Sequence, residues 1–178
     1  LIYYISIGEK ILNIFVLDND PKICAQYHCD KHTIKLILEE AQILCCVFHS
    51  QGFQNVPYRK THFNHPCSIW VRESPQNFLW CLTLLGFLLV EYTYRYGKIH
   101  KTSLVYDWIV ENYSLLKFDK NDFTEQPKCM PDKYKVDSVV ESYRNYYIGD
   151  KAKIAEWTKR EIPEWFKVGE NNETSLSK

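Results

Sequence analysis

The stretch LDNDPKICAQYHCDKHTIKLILEEAQILCCVFHS, residues 17–50, decides the fold of this chain. Asp18, Asn19 and Asp20 are helix-capping residues, and Pro21 fits a first helical turn. No Gly or Pro follows until Gly52, so the pattern predicts one long helix. At about 100° per residue its positions sort into faces. Ile23, Tyr27, Ile34, Ile37, Leu38, Ala41, Leu44, Cys45 and Phe48 form a broad apolar face. His28, His32, Lys35, Glu39 and Gln42 form a narrow polar stripe, with Ala25, Cys29, Leu36, Ile43 and Val47 beyond it. A polar stripe walled by apolar residues on both flanks predicts a cavity or a partly buried network, because buried polar groups need partners. The plainer alternative is a structural network with an ordinary Lys35–Glu39 ion pair one turn apart.

Working outward, Asn13-Ile-Phe-Val-Leu17 reads as a strand or an extended lead-in. Downstream, Pro66 and the pair Ser74-Pro75 each read as helix starts. The run from Pro75 to Tyr96 is apolar nearly all round, which predicts a central helix ending at Gly97. A helix is expected over 101–116, a long loop over 118–135, a helix from Asp137 to Ile148, and another from Gly149 to Arg160. The expected fold is mainly α: a single-domain bundle of five to six helices spanning 12–167, with a short N-terminal extended segment, residues 1–11 as an N-terminal extension, and 168–178 as a disordered polar tail.

Composition narrows the function classes. Lys+Arg 22 balances Asp+Glu 22, so the whole chain carries no basic footprint for nucleic acid, although a local basic face is compatible with that balance. Seven cysteines, at 24, 29, 45, 46, 67, 81 and 129, include no CxxC pair. Reduced thiols in a cytoplasmic compartment are the expectation. The apolar run Phe78–Val90 is shorter than the roughly 20 residues that span a bilayer, so no membrane partner is expected.

Several constellations carry chemistry. His28 and His32 have the one-turn spacing of helical metal sites, with His65, Glu39 or His62 as a third ligand; the alternative is paired structural or acid–base histidines, and no metal or other cofactor is required. Lys35 and Glu39 are an amine nucleophile and a general acid/base. Thr61-His-Phe-Asn-His-Pro66 places His62, Asn64 and His65 at a helix entrance, where anions bind, with Arg72 on the following helix. Tyr92-Thr-Tyr-Arg95 and Tyr143-Arg144 combine Tyr with Arg as base-stacking, phosphate-holding clusters do; core packing is the alternative.

At Asn13-Ile-Phe-Val-Leu-Asp18, Tyr27-His-Cys-Asp-Lys-His32, His62-Phe-Asn-His-Pro66, Trp70-Val-Arg-Glu-Ser74, Glu91-Tyr-Thr-Tyr-Arg-Tyr-Gly97 and Ser142-Tyr-Arg-Asn-Tyr-Tyr147, the chain resembles a family of small proteins of tailed phages and large DNA viruses. Some of these are likened to the phage pyrimidine-dimer DNA glycosylase, endonuclease V. That resemblance covers roughly Leu12 to Phe166. It implies a viral, helical enzyme acting on DNA bases or nucleotides inside the host cell. The phage glycosylase uses its N-terminal amine as nucleophile with a helix Glu assisting; here Glu39 stands for that carboxylate, and Lys35 or Lys31 takes the role of the amine. In this reading His28 and His32 orient substrate or relay protons, Gln42 lines the site, and Arg72, Arg95 and Arg144 hold phosphates. The alternatives are a metal-dependent hydrolase or nucleotide-modifying enzyme using the histidines, and a non-catalytic module binding nucleic acid or a host protein. The oligomeric state is left open.

Overall fold

The computed structural model describes residues 12–167; the expected extension at 1–11 and tail at 168–178 lie outside the described residues. The domain is mainly α, with no strand among the described residues. Residues 13–17 are buried and irregular and pair with no neighbouring strand, so the strand reading does not hold.

The predicted long helix is two helices, α1 (Pro21–Tyr27) and α2 (Asp30–Ser50). Asp20 caps α1 by accepting the Lys22 amide at 2.7 Å, as its position suggested. Extended backbone at His28 and Cys29 makes the break. Nothing in the local sequence demands it. In a continuous helix the Gln26, Tyr27 and His28 carbonyls would accept amides four residues on. Here distant donors take them: Arg95 reaches the Gln26 and His28 carbonyls and Trp157 Nε1 reaches that of Tyr27. The Asp30 amide in turn donates to the Glu156 carbonyl at 2.8 Å. Tertiary partners thus replace the missing helical bonds.

α3 (Pro66–Glu73) is capped by His65, and α4 (Pro75–Tyr96) by Ser74, whose hydroxyl accepts the Asn77 amide. α4 ends at Gly97, which adopts the left-handed φ of 65° that a helix C-terminus favours. By length and composition α4 could cross a membrane. It packs instead against α1, α2, α3 and α5 (Ser103–Asn112). Phe78, Cys81, Leu84, Leu85 and Leu88 are its core face. α5 is shorter than expected and finishes in a 3₁₀ turn, Tyr113–Leu115. Leu104 and Leu115 are exposed, and Val105 and Ile109 are the buried pair.

The segment 116–131 crosses the surface without a helix. Its backbone is used: the Thr124, Pro127 and Cys129 carbonyls accept from Trp70, Tyr143 and Asn13. After α6 (Val139–Tyr146) the chain passes directly into a π-turn, Tyr147–Lys151, and a 3₁₀ turn, Ala152–Ile154. The helix expected through Arg160 is absent. Residues 155–160 instead lie against the α1–α2 junction, where Thr158 hydrogen-bonds Asp30 and Arg160 pairs with Glu91. Those contacts need side chains on one edge of an irregular segment, which a helix would distribute round its circumference.

Candidate active site

The polar stripe divides at the α1–α2 break. On α2, Lys35 Nζ lies 3.2 Å from Glu39 Oε1, with the Lys35 side chain 51% exposed and that of Glu39 10% exposed. The dry cavity expected for Lys35 is therefore not found: Lys35 stands on the surface and Glu39 sits beneath it. Ile34 and Leu38, placed on the apolar face from sequence, are exposed beside Lys35. Burial pushes the Glu39 carboxyl above its usual range. The Lys35 charge and hydrogen bond, the Asn13 main-chain amide and the His62 charge pull it back in part. Glu39 Oε2 has no hydrogen-bond partner among the described residues. Gln42 follows one turn later and is half-buried.

Glu40, missed by the face analysis, is fully buried, and neither carboxylate oxygen has a partner among the described residues. Burial, reinforced by the neighbouring Glu39, raises it well above the ordinary carboxylate range, so it is held as the neutral acid. Its charge, if formed, would act on Cys24 of α1 and Cys81 of α4, which places it in the α1–α2–α4 core. A single buried Glu beside a functional-looking one gives no periodic signal; only the restarted helix register at Asp30 assigns it inward.

His28 and His32 do not form the one-face pair expected of a continuous helix. His28 is the C-cap of α1 and its Nδ1 bonds the Cys24 carbonyl at 2.7 Å. Burial first, and the Arg95 charge second, hold it down to about 4. His32 bonds the Tyr147 hydroxyl and packs against Phe15. Burial lowers it well below the usual imidazole range. Both are neutral core histidines, and neither lines the clefts at Arg72–Lys117, Gly86–Tyr106 or Phe123–Val139.

Loop residues 61–65 flank Glu39 through His62, which is exposed, has a φ of 47°, and bonds Thr61 at 2.8 Å. Asn64 is exposed, and α3 is capped by His65, whose Nδ1 accepts the Cys67 amide at 3.2 Å. Arg72 donates to the Phe63 carbonyl and stacks on the Phe63 ring at 4.0 Å. It faces a cleft of about 810 Å³ with Gln51, Lys117 and Lys120. That cleft begins at Ser50, eleven residues past Glu39, or about 17 Å along the helix at 1.5 Å per residue. Glu39 does not line that cleft.

Three residues proposed to hold substrate are committed elsewhere. Arg95 is buried and bonds Glu91, Asp30 and the His28 and Gln26 carbonyls; no guanidinium edge is left for a phosphate. Tyr143 is fully buried against Asn13, Pro127 and Cys129. Arg144 pairs with Asp18 and the Leu17 carbonyl and stacks near Tyr27 and Trp165. The Tyr–Arg clusters resolve to packing because these large side chains fill the space between α6, α1 and residues 13–18. The metal set of His28, His32 and His65 is likewise not assembled. His65 instead groups with Cys67 and Cys129, residues too far apart in sequence for spacing to join.

The chain matches no family model, no curated protein and no solved structure.

Proposed function

We propose that this chain is an enzyme acting on DNA bases or nucleotides, cleaving the N-glycosidic bond with Lys35 and Glu39. The observation that carries the proposal is the pair itself: a surface amine 3.2 Å from a largely buried carboxyl whose proton affinity is raised. Ionised Glu39 takes a proton from the Lys35 ammonium. The freed amine pair bonds the sugar C1′ as the glycosidic electron pair leaves with the base, and the departing base takes the proton from Glu39. A cationic rim supports a phosphate-bearing substrate. Lys31 and Lys35 are exposed on α2, and Arg59, Lys60 and His62 are exposed on the flanking loop. Of these, Lys35 and His62 are close enough for their charges to act on Glu39. The resemblance to glycosylase-like viral proteins points the same way.

The test is borohydride trapping on DNA carrying an abasic site or a pyrimidine dimer. Covalent protein–DNA product with the intact chain, lost in Lys35→Ala, supports the proposal. Glu39→Gln slows base release by roughly 10²–10⁴-fold, the scale of one general acid or base. Binding of DNA without base release or trapping would leave a non-catalytic binding module instead.

A further inference from the structure

We propose that His65, Cys67 and Cys129 form a binding site for a divalent transition-metal ion of the zinc type, independent of the Lys35–Glu39 pair. One nitrogen and two sulfurs from these side chains lie within 4.8 Å of one another. The two sulfurs are 3.7 Å apart. Zinc–sulfur bonds of about 2.3 Å at the tetrahedral angle separate two thiolates by about 3.8 Å, so the pair already stands at a coordination edge. Two thiolates and an imidazole are a soft donor set suited to that ion, and three protein ligands leave its fourth position open.

The site is built from two directions. His65 and Cys67 come from the N-terminus of α3. Cys129 arrives on the 116–131 segment and is held on both sides of its own backbone: its carbonyl accepts from Asn13 Nδ2 at 2.7 Å, and its amide donates to the Tyr143 hydroxyl at 3.3 Å. Tyr143 also bonds Asn13 Oδ1 at 2.9 Å. The fully buried Asn13–Tyr143 pair thus fixes the third ligand relative to the other two, as outer groups do around metal centres. Cys67 is buried, while His65 and Cys129 are half-buried, so an ion can enter from solvent. Binding releases one proton from each thiol, leaving a neutral assembly of two thiolates, imidazole and dication. Coordination through His65 Nδ1 would displace its long cap on the Cys67 amide, a small loss beside metal coordination, and coordination through Nε2 would keep it.

The test uses the full chain, reduced, stripped by chelator and titrated anaerobically with Co²⁺ and then Zn²⁺. Expected are one ion per chain, a thiolate-to-cobalt charge-transfer band, its loss on zinc addition, and release of about two protons. Cys129→Ser and His65→Ala, both at the half-buried rim, keep the far-ultraviolet circular dichroism and weaken binding on the order of tenfold or more. Cys45→Ala leaves binding unchanged. Absence of the band in the intact chain, or full affinity in Cys129→Ser, overturns the site. So does a reduced protein that takes no ion and merely forms a Cys67–Cys129 disulfide on mild oxidation.

Discussion

The Nδ1 atom of His32 on α2 is hydrogen-bonded to the hydroxyl of Tyr147, 115 residues further along the chain. Both side chains are buried, and Phe15 lies against both rings. The bond ties the lead-in, α2 and the turn after α6 together. Tyr147→Phe keeps the ring but leaves the imidazole nitrogen without its partner. A buried polar atom so stranded costs about 1–3 kcal/mol. Urea unfolding should show a lower midpoint with an unchanged slope.

Arg95 is the second such tie. Its guanidinium joins Glu91 at 2.8 Å and Asp30 at 2.9 Å and closes the end of α1 through two carbonyls. Arg95→Met leaves Glu91 with only the partly exposed Arg160 as its partner and reopens the α1–α2 break, and removing one partner of a buried pair costs about 3–5 kcal/mol. Arg160 also pairs with Glu91, its own side chain 30% exposed, so Arg160→Met should cost less. A midpoint loss of equal size in both variants would contradict the ranking.

The fold was legible where local chemistry decides it. Ser74-Pro75 starts α4 and Gly97 stops it, as their residue types dictate. The break at His28–Cys29 was not, because Arg95, Glu156 and Trp157 impose it from far along the chain. That single break shifts the face reading on which the stripe rested. Lys35 and Glu39 remain neighbours because their spacing lies wholly within α2. His28 leaves the stripe, and Glu40 enters the core unannounced. Cys67 and Cys129 are joined only by the folded path of the 116–131 segment, whose course is set by backbone carbonyls rather than by any side-chain pattern.

Glu40 gives stability a distinctive pH dependence. Its carboxyl is buried without a partner among the described residues, which raises its folded value well above that of the unfolded chain. The sign follows: its contribution is fullest below the ordinary Glu value of about 4.3 and is lost as pH rises toward the folded value. Glu40→Met should therefore stabilise the protein at pH 8, by about 1–3 kcal/mol if the unpartnered carboxyl carries the usual desolvation cost. The gain should shrink as pH falls toward 4.

In that same Glu40→Met background the buried histidines dominate the remaining mildly acidic slope. His28 and His32 have lowered folded values, so the unfolded chain binds protons first. Stability should be full above about 6.5, the ordinary His value, and fall as pH drops toward 4. Urea midpoints at a series of pH values test this; a flat profile across that window would mean that the two imidazoles are not held neutral.

Glu39 connects burial to the proposed chemistry. If it accepts the Lys35 proton, the acid limb of kcat/KM reports its ionisation in the free enzyme. Burial raises that carboxyl, so the limb should lie above the ordinary Glu value of about 4.3. The His62 charge is one of the influences drawing it down. His62→Ala removes that influence, and the limb should move to higher pH while trapping by Lys35 survives. Lys35→Met removes the nearer charge and the hydrogen bond, which are larger influences; carbon NMR of the Glu39 carboxyl should show a greater upward shift, and trapping should vanish. A limb that moves downward in His62→Ala, or a Glu39 carboxyl that titrates at its ordinary value in the intact chain, would break the connection between this burial and the reaction.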